Sequence, residues 1–383
     1  MALVGLKSAG LLKASVAVLA AGGLAAATAL AATGSGASAR HRSGFLTAVA
    51  PQAPQSVTTT TPPTTAPPST TTSTSTTTTV PPAPQHVTLA GCPVPTRPPG
   101  PPGPPPWHPA TLVPDSALPP VQAPTPWQSS LAAIDGKGMW IWLWSSTDGG
   151  NAAAVVAQAK RAGLSQLWVR AGDSKNGFYG ASELGALVPV AHAAGIRVVA
   201  WGFPYLYDPV GDATWTGQIL AWRSPTGDRV DAYSADIERS TEGVDLTSQR
   251  VGVYLQGVRK AAGTTPIIAT VYPPLDQYWS GSYPYKMMAT YVDAFAPMVY
   301  WECVDPGTDA ALAISRLATL RPVHVIGQAF NMADVGGRVN PPSGAEIQEF
   351  LSEARRGGAV GASFWVWQTA TAEEWSSLAT FSW

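Results

Sequence analysis

Two carboxylates, Asp236 and Glu238, stand two residues apart at the end of an apolar run, AYSADIE at 232–238. Along a strand, residues i and i+2 point to the same side, roughly 7 Å apart. Read as a strand, this run puts Ser234, Asp236 and Glu238 on one face, with the acids at its C-terminal end. Two carboxyl groups held together repel, which favours keeping one of them protonated. A protonated acid beside an ionised one suits glycoside cleavage, which needs a proton for the leaving oxygen and stabilisation of a cationic sugar. On this reading Glu238, nearer the mouth, is the general acid and Asp236 orients it or the substrate. The opposing reading is structural, with the two acids simply held by Arg170 or Arg239.

Such a pair needs a scaffold that brings strand ends together. From Gly138 onward, apolar runs alternate with amphipathic stretches almost without a break. Strands are predicted at 139–144, 166–171, 197–203, 232–238, 266–272, 294–300, 323–330 and 361–368. Their near-continuous apolarity fits parallel strands covered by helices. The stretches between them, such as AAAVVAQAKRAG and AEIQEFLSEARRGG, end in Gly, a common helix stop. Eight such units predict the α/β class and a closed (β/α)₈ barrel of TIM type, whose catalytic residues collect at the C-terminal strand ends. A dinucleotide-binding sheet would show a G-x-G-x-x-G turn after its first strand, and residues 145–150 (SSTDGG) do not supply one.

The predicted strand ends carry rings, amides and acids. Trp142, Arg170, Trp201, Tyr272, Glu302, Gln328, Trp365 and Trp367 are the substrate-binding candidates. Aromatic faces stack on sugar CH groups while acids and amides hydrogen-bond hydroxyls, so this mixture suits a neutral, polyhydroxylated ligand. No Ser-His-Asp set, strand-end lysine or phosphate cradle accompanies it. The chain has 15 Trp, nearly all after residue 126, and for those on the first and eighth strands core packing and ligand contact both stand. A net charge of −1 with 12% charged residues gives no footprint for nucleic acid. His192 falls on a predicted helix and His324 in a strand, without metal-ligand spacing, so neither metal nor cofactor is expected.

The 383 residues divide by composition. Lys7 and Lys13 precede an apolar run, and Ala37-Ser38-Ala39 offers a small-residue cleavage site, so 1–39 is expected to be a signal peptide and the protein secreted. An uncleaved anchor is the alternative, and either places the barrel outside the cytoplasm, with association to the cell envelope or wall through the N-terminal region. Residues 40–126 read as a disordered linker: a Thr tract broken by prolines, then the stiff spacer RPPGPPGPPP at 97–106. The barrel is assigned to 127–383. Cys92 and Cys303 either form one disulfide that pins the linker to the barrel rim or are both free.

The run from Asp231 to Glu238 resembles the D-G-x-D-x-D-x-E signature of family 18 chitinases, matching at Asp231, Asp236 and Glu238, with Ala232 for the glycine and Ser234 for the middle acid. Met298-Val299-Tyr300 is similar to that family's Met-x-Tyr motif on the sixth strand, and Trp365 or Trp367 to its Trp on the eighth. The Asp-x-Glu pair and Trp367-Gln368 also resemble family 25 lysozymes, which carry an acid on the first strand where this chain has MWIWLW. The resemblance implies a glycosidase acting on a carbohydrate polymer or oligosaccharide, plausibly N-acetylated as in peptidoglycan or chitin. It implies Tyr300 as a third catalytic residue and the substrate's own N-acetyl oxygen as nucleophile. With two protein carboxylates instead, Glu302 is the second. The alternative is a non-catalytic carbohydrate-binding barrel tethered to the envelope.

Overall fold

The computed structural model describes Cys92 and residues 107–109, 111–333 and 337–383. The expected signal peptide and residues 40–91 and 93–106 of the expected linker lie outside the described residues.

The chain forms the expected barrel. Its eight parallel strands are Gly136–Ile141, Gln166–Asp173, Arg197–Phe203, Ala232–Asp236, Ile267–Val271, Ala294–Pro297, His324–Gln328 and Gly361–Trp365. Each pairs with its sequence neighbour, and the first also pairs with the eighth. Two isolated parallel bridges, Phe295 with Val323 and Met298 with Ile326, complete the circle between the sixth and seventh. Helices cover the outside, among them Ala152–Arg161, Pro209–Ala221, Ser248–Ala262 and Gly344–Arg356. Local chemistry sets their ends. Asn151 caps Ala152–Arg161 by accepting the Ala154 N–H, and Gly163 follows with φ 63°, which lets the chain turn into the second strand.

Much of the Trp surplus fills the lumen. Trp140 stacks on Trp168 with ring centroids 4.7 Å apart and meets Trp201 at 5.4 Å and Trp365 at 5.9 Å. Part of the polar edge of this layer is satisfied internally: Trp140 Nε1 donates to Ser363 Oγ (2.8 Å), and His324 bonds both Ser363 Oγ and the Ile134 carbonyl (each 2.9 Å). Burial pushes His324 down to about 3, so it stays neutral. Gly138 makes room on the first strand, where a Cβ would lie 2.6 Å from Gln166 Cγ and 2.9 Å from Trp168 Nε1. Close packing of this kind leaves no open pore.

Residues 111–126, counted with the linker on composition, are packed on the barrel. The Val113 N–H donates to the Tyr207 carbonyl (3.0 Å), and the buried Arg250 guanidinium donates to the Val113 carbonyl (2.6 Å) and pairs with Asp115 (2.7 Å). Farther along, the Tyr291 hydroxyl donates to Gln122 O (2.5 Å). Trp127 donates from Nε1 to Asp293 Oδ1 (2.7 Å) with Arg259 4.3 Å from its ring centroid. The pairing that the sequence left open is settled: Cys92 and Cys303 form a disulfide with Cα atoms 5.6 Å apart. Among the described residues no helix is long and apolar enough to cross a membrane.

Candidate active site

The register fixes which way Asp236 faces. Trp201, whose ring lies in the lumen, pairs with Ser234, and Asp236 pairs with Thr270. The Ser234 and Thr270 hydroxyls meet at 2.8 Å, so these two residues share a face, and alternation puts Asp236 on the same side. Asp236 ends the fourth strand. The next residue, Ile237, is clamped from two directions: its N–H donates to the Thr270 carbonyl (3.0 Å), and its carbonyl accepts from the Tyr283 hydroxyl (2.6 Å). Tyr283 Oη in turn accepts the Tyr272 N–H at 3.4 Å. The backbone between the two acids is therefore held by the fifth strand and the loop that follows it. Both acids are buried, and Glu238 has 0% of its surface exposed.

Tyrosines enclose the pair. Burial, then the charges of Glu238 and Glu242, push the Tyr272 hydroxyl far up, and burial with Tyr285 and Glu238 nearby does the same to Tyr283. Tyr205, after the third strand, is raised by burial and then by Asp173, with Glu238 adding to it. These hydroxyls stay protonated, and that of Tyr283 is already committed as donor to the Ile237 carbonyl. Arg239 lies over the Tyr272 ring (4.1 Å), bonds the Tyr278 hydroxyl and pairs with Glu242 (3.5 Å). On the other side Arg170 pairs with Asp173 (3.1 Å) and sits 5.4 Å from the Trp201 ring centroid.

The structure brings together part of the expected set. Trp142 and Trp365 are half-buried neighbours at 6.2 Å, on the first- and eighth-strand side of the mouth. Tyr300 is nearly covered, edge-on to Phe330 at 5.3 Å. Glu302 is half-buried with φ 52°; its N–H donates to Gln328 Oε1 (3.0 Å) and its carbonyl accepts from Arg338 (3.2 Å). Gln328 is fully buried, its amide spent on Glu302 and the Phe330 carbonyl (2.8 Å), and Trp201 is enclosed in the lumen. Trp367 packs edge-to-face on Trp375 of the last helix, Ala372–Thr380, at 4.7 Å, away from the acids. The Trp365–Val366 peptide is cis.

Residues that the sequence reading did not single out also shape the site. Tyr278, Tyr283 and Glu242 contact the acids' surroundings from loops after the fourth and fifth strands. The aromatic-rich stretch YWSGSYPY at 278–285, placed directly after a strand end, was the available signal for the tyrosines. Among the described residues no cluster of His, Cys, Asp and Glu forms a metal site.

No family model matches the sequence, and no curated protein matches it. Among solved structures the chain is similar to the spore cortex-lytic enzyme SleL of Bacillus cereus, with 12% identity, 65% of this chain and 74% of that one covered, and a TM-score of 0.48. It is also similar to a class V chitinase of Pseudomonas fluorescens Pf-5 (14% identity, 64% and 98% covered, TM-score 0.46). A third is an endo-1,4-beta-mannanase of Rhizomucor miehei (9% identity, 61% and 86% covered, TM-score 0.47). Overlap at this level carries no functional reading, which rests on the side chains of the site.

Proposed function

We propose that the protein is a secreted or wall-associated glycosidase that cleaves a polysaccharide, an N-acetylated one of the peptidoglycan or chitin type. One observation carries the reading: Asp236 ends a barrel strand at its C-terminal end and Glu238 is buried two residues on, with the Ile237 peptide between them clamped by Thr270 and Tyr283. That clamp fixes the spacing of two acids where barrel enzymes keep their chemistry. Glu238 gives its proton to the departing glycosidic oxygen, and Asp236 orients it or the substrate. Tyr300 and the half-buried Trp142 and Trp365 border the sugar. The nucleophile is the substrate's N-acetyl oxygen, or water activated with Glu302 as second carboxylate. The Cys92–Cys303 disulfide supports an oxidising compartment outside the cytoplasm, and association with the envelope through the N-terminal region belongs to the same proposal.

A second reading is favoured by the complete burial of Glu238 and by a serine, Ser234, engaged with Thr270 beneath it. A sugar reaches Glu238 only after a rim side chain moves, and a barrel in which none moves would bind carbohydrate without cleaving it. Incubating the purified protein with labelled peptidoglycan, chitin oligomers and α- and β-glucans, with products read by mass, separates the two. New reducing ends support the glycosidase; retention of intact polymer without products supports the binding barrel.

A further inference from the structure

Trp107 lies ahead of the barrel in sequence but sits at its mouth. Its ring is 5.1 Å from Tyr205, which follows the third strand, and Tyr205 is 4.7 Å from Phe203 at the end of that strand. All three rings are half-buried, so each keeps part of its surface open to solvent. Tyr205 also lies within electrostatic reach of Glu238 and Asp173, which ties the row to the acids. Polar groups edge it: Asp173 accepts from Arg170 (3.1 Å) and Asn176 Nδ2 (3.0 Å), and the Tyr179 ring beyond is exposed. Tethering the upstream segment does not require Trp107, because Val113, Asp115 and Trp127 already bind it to the barrel.

We propose that Trp107, Tyr205 and Phe203 form a carbohydrate subsite beside Asp236 and Glu238, with its outer ring supplied by the upstream segment rather than by the barrel. The ligand is a pyranose ring of an extended oligosaccharide, its CH face on the aromatic row and its hydroxyls toward Arg170 and Asp173. Rings next to charged hydrogen-bonding groups suit that amphipathic surface. This subsite deepens the glycosidase reading and rests on it.

The test is a titration of the full chain and of its Trp107→Ala and Trp107→Phe variants with chitohexaose and cellohexaose, with melting temperatures measured in parallel. Loss of one stacking contact weakens binding about fivefold. Trp107→Ala is expected to show that loss with an unchanged melting temperature, and Trp107→Phe to recover most of it. An unchanged affinity in Trp107→Ala, with or without a lower melting temperature, overturns the subsite alone. A wild-type chain that binds neither oligosaccharide overturns the subsite and removes the support for the glycosidase reading with it.

Discussion

Ser234 and Thr270 meet across neighbouring strands, hydroxyl to hydroxyl at 2.8 Å, one pleat below Asp236. Where the chitinase signature has a third acid, this chain has a hydroxyl already satisfied by its neighbour. On the proposed reading, proton chemistry at the mouth would involve Asp236 and Glu238, with the Ser234 and Thr270 hydroxyls beneath Asp236. Ser234→Ala leaves the Thr270 hydroxyl buried without that partner and is expected to cost about 1–2 kcal/mol in denaturant unfolding. A large loss of turnover with stability unchanged would instead give Ser234 a part in catalysis.

The lumen rings separate by depth. Trp201 is 2% exposed and packs on Trp140 and Trp365, whereas Trp142 is half-buried at the rim. Trp201→Ala is expected to destabilise the fold by about 3–5 kcal/mol, in the range of large-to-small core substitutions. Trp142→Ala should cost about 1 kcal/mol or less, the surface range with some lost packing. Equal effects in chemical denaturation would contradict this division.

His324 sets an acid limit on stability. Its folded value of about 3 lies below the ordinary 6.5 because burial penalises the charged ring. The unfolded chain therefore takes up the proton first as pH falls. The stability that the neutral ring provides is complete above about 6.5 and is lost progressively down to about 3, at about 1.4 kcal/mol per pH unit. In His324→Gln this slope should disappear, and unfolding free energies of both proteins from pH 7 to 4 check it. Parallel curves would show that His324 does not set the limit.

Arg250 binds the upstream segment to the barrel: with 2% of its side chain exposed, it pairs with Asp115 and Asp245 and donates to the Val113 carbonyl. A chain beginning at Trp127 lacks two of those partners and is expected to melt several degrees lower than one beginning at Trp107, in keeping with a loss of about 2–3 kcal/mol. Identical melting temperatures would make the segment a passenger.

The barrel was legible because parallel strands are apolar on both faces and helices end at glycines, so 166–171 or 197–203 announce themselves without tertiary information. The face that Asp236 shares with Ser234 was legible from the two-residue period alone, whereas the strand stops there and not at Glu238. Parity was not: nothing in FWVWQ says that Trp365 meets the lumen rings while Trp367 packs on Trp375. Gln328 reads as a ligand amide until its backbone partners are seen. The packed upstream segment was hidden for a different reason. Its prolines and polar residues carry no periodicity, and its order comes from long-range partners such as Arg250 and Tyr291.

If Glu238 supplies the proton for glycosidic cleavage, Glu238→Gln removes that proton. The amide keeps the size of the side chain but has no proton to give. Single-turnover cleavage of whichever labelled glycan the wild type cuts should fall by about 10²- to 10⁴-fold, while affinity for the intact glycan and the melting temperature stay near wild type. A Glu238→Gln protein that cleaves at the wild-type rate would contradict the claim.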